Sequence, residues 1–178
     1  MKAAVFYGAG QPLKIEDVPT PQISPEEALI KVAACGVCHT DLHYLEGVPT
    51  FKKPPLILGH EASGIVTKVG EKVTSVKEND RVLIPPVLTC GTCYSCRIGR
   101  ENLCRNIVMI GNSIDGAYAE FAKIPAKDLI KLPPEIPLQE ASIISDAMST
   151  PFHALKNRAN VRPGDSVVIY GVGGVGLN

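Results

Sequence analysis

Four cysteines fall within one short run, TCGTCYSCRIGRENLC, where Cys90, Cys93, Cys96 and Cys104 take the spacing C-x2-C-x2-C-x7-C. No other stretch restricts the fold so strongly. Two-residue gaps let neighbouring thiolates turn toward a common point, and the seven-residue loop returns the fourth to close a tetrahedron. Four thiolates with no open position describe a structural zinc site. Iron–sulfur runs also begin C-x2-C-x2-C, but their next gap is three residues and ends in Cys-Pro. Here the gap is seven and Cys104 precedes Arg105. Unligated or disulfide-bonded cysteines are the remaining alternative. The N-terminal stretch MKAAVFYGAGQPLKIEDV has too short an apolar run for a signal-peptide core, so a cytoplasmic, reducing setting is expected, and with it metal rather than disulfides.

Composition narrows the partners. The chain has 178 residues, 45% of them hydrophobic and 20% charged, which suits a globular protein and argues against disorder. Its 18 basic and 18 acidic residues cancel, without a run of like charge. Neither a nucleic-acid footprint nor a membrane-binding surface is expected, and no apolar run approaches spanning length.

The first two-thirds read as β-structure. KAAVFY, LKIEDV, ALIKVAACG, SGIVTKVG, DRVLI, AYAEFAKI and DLIKL are short, several alternate apolar and polar residues, and Gly, Pro, Asn or Asp sit at their edges. The texture changes near residue 137. PLQEASIISDAM and TPFHALKNRAN have helical spacing, with Ser149 and Thr150 as a cap before a first-turn Pro151. His153 reads as a packing residue of that helix. SVVIY then reads as a strand of the kind buried in a parallel sheet. These patterns divide the chain at about residue 150, between a β-rich domain (1–150, with the cysteine lobe at 88–106) and the beginning of an α/β domain (151–178).

The other two cysteines lie in AACGVCHTDLHYLEG, and a His-Glu pair follows in LILGHEASGIVTKVG. Cys35 ends an apolar run and reads as core, whereas Cys38 sits among polar residues useful near a metal. Residues 59–73, GHEASGIVTKVGEKV, fit G-H-E-x2-G-x5-G-x2-V. In that motif, the CGVCHTDLH segment, the four-cysteine lobe and the terminal glycines, taken in order, the chain resembles the first half of a zinc-containing alcohol dehydrogenase of the medium-chain dehydrogenase/reductase superfamily.

The resemblance implies a GroES-like β-barrel catalytic domain followed by the opening of a Rossmann α/β domain. It makes Cys38, His60 and Asp146 ligands of a catalytic zinc. At Asp146 many members carry cysteine, and a carboxylate preserves the charge count while being a harder donor. Glu61 becomes a transient extra ligand or a buried partner of a basic group. Zinc with an open position lowers the pKa of an alcohol oxygen. Thr40 would take the alcohol proton and His43 would carry it to solvent. Asp41 would hold the free ring nitrogen of His60. His39 would lie near the cofactor pyrophosphate. Two zinc ions per chain, a small alcohol or aldehyde substrate, and a homodimer or homotetramer in the full-length protein are also implied.

Gly171, Gly173 and Gly176 in YGVGGVGLN fit G-x-G-x-x-G after an apolar run, the context of a dinucleotide pyrophosphate turn for NAD or NADP. The phosphate-binding helix would follow Asn178, so the isolated 178 residues are expected to be inactive. The expected activity of the parent is reversible oxidation of primary or secondary alcohols. The alternatives are a polyol or threonine-type dehydrogenase of the same superfamily and a non-catalytic zinc-stabilised scaffold. Family members often place an aromatic residue just before the lobe to wall the alcohol pocket; here the segment is IPPVLTC.

Overall fold

A computed structural model describes all of residues 1–178. The chain opens with strands β1 (Lys2–Phe6), β2 (Lys14–Asp17) and β3 (Glu27–Gly36), then helix α1 (His39–Glu46). Strands β4 (Leu56–Ile57), β5 (Glu61–Val69), β6 (Arg81–Ile84) and β7 (Val87–Leu88) lead into the cysteine lobe. The lobe carries helix α2 (Tyr94–Arg97) and a 3₁₀ turn (Glu101–Leu103). After it come β8 (Val108–Met109), β9 (Phe121–Pro125), β10 (Ile130–Lys131), helix α3 (Leu138–Ala141) and a 3₁₀ turn (Ser142–Ser145). Helices α4 (Ser149–His153) and α5 (Gly174–Leu177) complete the order.

Every strand pair is antiparallel. The main sheet runs β10-β6-β5-β3-β9, a smaller one β2-β1-β4, and β7 pairs with β8. Alternation along the strands builds the core: Ala28 and Ile30 of β3, Ala62 and Val66 of β5, Val82 and Ile84 of β6, and Ala122 and Ile124 of β9 all point inward. The register of β3 against β5 slips between Val32 and Ala34, leaving Ala33 as an extra residue. Such a bulge reverses which residues face in. Val32 packs toward the core before it, and Cys35 packs there after it.

This register positions the site. Gly36 pairs with Glu61, so Cys38, just past the end of β3, and His60, just before β5, emerge at the same end of two neighbouring inner strands. The segment that carries Asp146 is tied to β5 and β6. Ser63, fully buried on β5, donates its hydroxyl to the Leu138 carbonyl, and Arg81 on β6 donates to the carbonyls of Pro134 and Ile136.

Three sequence expectations change. SVVIY forms no strand: no neighbouring chain runs beside it, and Val168 and Tyr170 are 75% and 95% exposed. An apolar strand is stable only when its backbone groups and both faces are partnered. Ser149 and Thr150 are not a cap before Pro151. Helix α4 already begins at Ser149, and Pro151 occupies its third position, where a missing N–H has no intrahelical acceptor to disappoint. His153 is exposed, with Nδ1 3.0 Å from the Asn157 amide, rather than packed. The helix it belongs to straddles residue 150 and widens into a π-type turn at Ala154–Ala159.

Candidate metal centres

The lobe cysteines converge. Cys93 Sγ lies 3.5 Å from Cys96 Sγ and 4.0 Å from Cys104 Sγ, and Cys90 Sγ lies 3.5 Å from Cys104 and 4.0 Å from Cys96. A zinc–sulfur bond of about 2.3 Å implies sulfurs roughly 3.8 Å apart at the corners of a tetrahedron. The observed spacing brackets that value, and all six cysteines of the chain are free thiols. Four sulfurs this close leave room for a single ion, whereas a polynuclear cluster needs room for its own irons and sulfides. The backbone prepares the site for anionic sulfur. Hydrogen bonds from the Thr92 and Cys93 N–H groups lower the Cys90 pKa to about 5. Burial and then the Cys93 thiol raise Cys96 to about 12. Thiols of such opposed tendency are resolved together by a cation that takes all four as thiolates.

The second centre gathers Cys38, His60, Glu61 and Asp146, whose donor atoms all lie within 4.8 Å of one another. Asp146 Oδ2 is 3.4 Å from His60 Nε2 and 3.8 Å from Cys38 Sγ. Bonds of about 2.0–2.3 Å to a tetrahedral zinc separate ligand atoms by roughly 3.3–3.8 Å. The donor set, one thiolate, one imidazole and carboxylate oxygens, is one that zinc accepts. Local structure aims each group. Cys38 is the N-cap of α1, and its N–H donates to Asp41 Oδ2 at 3.2 Å, as in a capping box. A thiolate at that position also meets the positive end of the helix. Asp146 follows the 3₁₀ turn, and the Thr150 hydroxyl donates to its Oδ1 at 2.6 Å.

Burial and pairing set the charges. Burial alone would favour neutral His60, but hydrogen bonds to Asp146 and Asp41 win and raise its pKa to about 11. The hydrogen bond to His60 holds Asp146 below the usual carboxylate range despite burial. Burial pushes Asp41 upward, yet hydrogen bonds from His60, Tyr118 and the Cys38 N–H bring it below that range. Burial, followed by the Asp146 charge, pushes Glu61 up. A compact anionic pocket that grips one proton in this way is also a pocket for a cation.

Asp41 is buried, with Oδ1 3.6 Å from His60 Nδ1. Glu61 is 3% exposed; its carboxylate lies against Gly36, near the Ala147 N–H, and the basic group beside it is His60. Thr40 and His43 share the first turns of α1. His43 is half-exposed, with Nδ1 3.3 Å from Glu46 Oε2, and its ring meets that of exposed His39 edge-on at 4.7 Å. Gly171 has a φ of 92°, Gly173 precedes α5, and a Cβ at Gly176 would collide with the Gly171 carbonyl. Gly171 and Gly173 are exposed and Gly176 is partly buried. Cys35 is partly buried, and burial raises its thiol pKa to about 12. A cavity of about 840 Å³ lies elsewhere, beside the lobe, between Val5, Ile57, Leu88 and Phe121.

One residue of the second centre escapes sequence reasoning. The Tyr118 hydroxyl is 2.8 Å from Asp41 Oδ2, although 77 positions separate the two. Burial and then the Asp41 charge push its phenol far above the usual range. Nothing in AYAEF distinguishes this tyrosine from a core aromatic.

The β-framework thus carries two separate groups of residues, the four-cysteine lobe and the Cys38, His60, Glu61 and Asp146 cluster, each able to hold a metal ion. Residues 24–134 match the family model of the alcohol dehydrogenase GroES-like domain, and the chain belongs to that family. It is 44% identical over 178 residues to an alcohol dehydrogenase of Geobacillus stearothermophilus, a match covering 99% of this chain and 52% of that relative. It is 38% identical to a sorbitol dehydrogenase of Bacillus subtilis, covering 99% and 50%. The crystal structure of the alcohol dehydrogenase from Aeropyrum pernix superposes with a TM-score of 0.91 at 38% identity, covering 99% of this chain and 54% of that one. The chain therefore spans about half the length of the curated relatives it matches.

Proposed function

We propose that this chain supplies the catalytic portion of a zinc-dependent alcohol dehydrogenase that oxidises primary or secondary alcohols reversibly, with NAD or NADP as hydride acceptor. The observation that carries this reading is the convergence of Cys38, His60 and Asp146 at the ends of β3 and β5, beside the helix that bears Thr40 and His43. Cys38, His60 and Asp146 would hold the catalytic ion, and the four lobe cysteines a structural one. When bound, zinc supplies a Lewis acid at the substrate oxygen and the nicotinamide supplies the hydride acceptor.

The chain's own groups bind, orient and move protons. The Thr40 hydroxyl accepts the proton of the alcohol, and His43, at the exposed side of α1, delivers it to water. Asp41 accepts the Nδ1 proton of His60 and so leaves Nε2 as the ligating atom. Burial and then the Asp146 charge raise the Glu61 pKa, so its negative charge is held less readily there than in water. His39 lies on the exposed start of α1, where a basic side chain meets a pyrophosphate, and Gly171, Gly173 and Gly176 form the turn that would receive it. The division at about residue 150 then separates a catalytic domain from a cofactor domain.

The test is alcohol-dependent reduction of NAD+ or NADP+ by a protein carrying these residues together with a whole cofactor domain. Cys38→Ser should abolish turnover while the lobe keeps its metal; undiminished turnover refutes the assignment. The sorbitol dehydrogenase relative, and Pro86 and Val87 where an aromatic wall is common, favour a second reading as a polyol dehydrogenase. Comparing kcat/KM for simple alcohols and for polyols decides between them.

A further inference from the structure

Behind the Cys38–His60–Asp146 centre, a buried network joins three distant pieces of the chain. Asp41 is 3% exposed, and both of its carboxylate oxygens are engaged. Oδ1 faces His60 Nδ1 at 3.6 Å and the Gly59 N–H at 3.4 Å. Oδ2 accepts from the Cys38 N–H at 3.2 Å and from the Tyr118 hydroxyl at 2.8 Å. The tyrosine contact is the shortest of the four. The same phenolic oxygen is 3.1 Å from the Gly36 carbonyl. The Tyr118 ring lies so close over Gly59 that a Cβ there would meet its Cδ1 at 2.5 Å. Tyr118 thus touches the strand end two residues before Cys38, the residue before His60, and the carboxylate facing the His60 ring.

A histidine that ligates through Nε2 must keep its proton on Nδ1, and an acceptor aligned with Nδ1 selects that tautomer and fixes the ring. Alignment is the weak point for an aspartate, because rotation about its terminal torsion is soft and roughly two-fold. A neutral phenol donates to a carboxylate and holds one oxygen in place. With Oδ2 fixed, Oδ1 stays directed at His60.

We propose that Tyr118 is a positioning residue for the metal centre: its hydroxyl fixes the Asp41 carboxylate, which fixes the tautomer and orientation of His60. The proposal rests on the reading of Cys38, His60 and Asp146 as metal ligands. Tyr118 touches neither metal nor substrate and acts through Asp41.

The experiment measures zinc affinity at each centre of the 178-residue chain by chelator competition, in a double-mutant cycle of Tyr118→Phe and Asp41→Asn. Phenylalanine keeps the ring over Gly59 and removes only the hydroxyl. Tyr118→Phe should weaken the Cys38 centre by about tenfold, the low end of the loss typical when an outer hydrogen-bond partner of a ligand is removed. Lobe affinity should stay unchanged. In the Asp41→Asn background the same substitution should alter affinity by less than about twofold. Unchanged affinity in Tyr118→Phe, or an equal loss in both backgrounds, overturns the proposal. Cobalt substitution gives a second measurement in case Asp41→Asn does not fold. Tyr118→Phe should shift the ligand-field bands of the Cys38 centre and leave those of the lobe alone, and superimposable spectra overturn it. Failure of the unsubstituted chain to bind metal at the Cys38 centre overturns the ligand assignment itself, and the proposal with it.

Discussion

Replacing Gly59 with alanine probes how tightly the second centre is built. Gly59 sits directly before His60 with a φ of 90°, and the Tyr118 ring fills the space a side chain would take, its Cδ1 2.5 Å from an ideal Cβ. Two penalties apply. A left-handed backbone at a non-glycine residue costs about 1–2 kcal/mol. Forcing a methyl group into occupied space costs about 1–3 kcal/mol. Ordinary carbon contacts need about 3.5 Å, so the ring must retreat by roughly 1 Å. That retreat stretches the 2.8 Å contact between Tyr118 and Asp41 and weakens a hydrogen bond worth on the order of 1 kcal/mol. The two penalties together give a destabilisation of about 2–5 kcal/mol before the weakened hydrogen bond is added, a large share of a typical domain's total. Gly10→Ala is the control, since Gly10 also has a left-handed φ of 73° but nothing within 4 Å of an added Cβ. It should lose only about 1–2 kcal/mol. Urea unfolding at matched metal content, followed by circular dichroism, compares the midpoints at a common slope. If Gly59→Ala is no more destabilising than Gly10→Ala, the packing argument is refuted.

Metal uptake at the Cys38 centre should depend on pH in a defined direction. In the metal-free chain, burial lowers the His60 pKa, but hydrogen bonds to Asp146 and Asp41 raise it to about 11 from 6.5. The folded chain therefore binds this proton more tightly than the unfolded one. Its contribution to metal-free stability is complete below about pH 6.5 and is lost as pH rises through about 11. Because an incoming ion must expel the proton, zinc affinity should rise by about tenfold or more per unit between roughly pH 6.5 and 8.5. A flat profile from chelator competition contradicts this. Cys93→Ser should strip the lobe of its metal and open residues 90–104 to limited proteolysis, while the Cys38 centre stays loaded. Equal loss of both metals would count against two independent centres.

The strands were legible because their alternation is a local signal, and KAAVFY, ALIKVAACG and SGIVTKVG become β1, β3 and β5. Two-residue strands such as β4 and β7 leave no such signal, since pairing alone defines them. Cys35 reads as core from its apolar neighbours, but the bulge at Ala33 that turns it inward reverses the strand's parity and cannot be counted from the sequence. Each half of the second centre has its own short motif. What brings the halves together is the pairing of Gly36 with Glu61 and the anchoring of residues 134–138, just before the segment that carries Asp146, by Ser63 and Arg81, all long-range. Tyr118 lay beyond reach for the same reason. SVVIY fails in the opposite sense. Its composition fits a buried strand, but a strand needs a neighbour, and here residues 166–170 have none.

Two metal centres of different kind are expected in this chain, one closed by the four lobe cysteines and one built by Cys38, His60 and Asp146. Elemental analysis of the purified chain and of its Cys38→Ser variant tests this expectation directly. Two zinc ions per chain are expected, falling to one in Cys38→Ser with the lobe ion retained. A single zinc unaffected by Cys38→Ser, or iron in place of zinc, would contradict it.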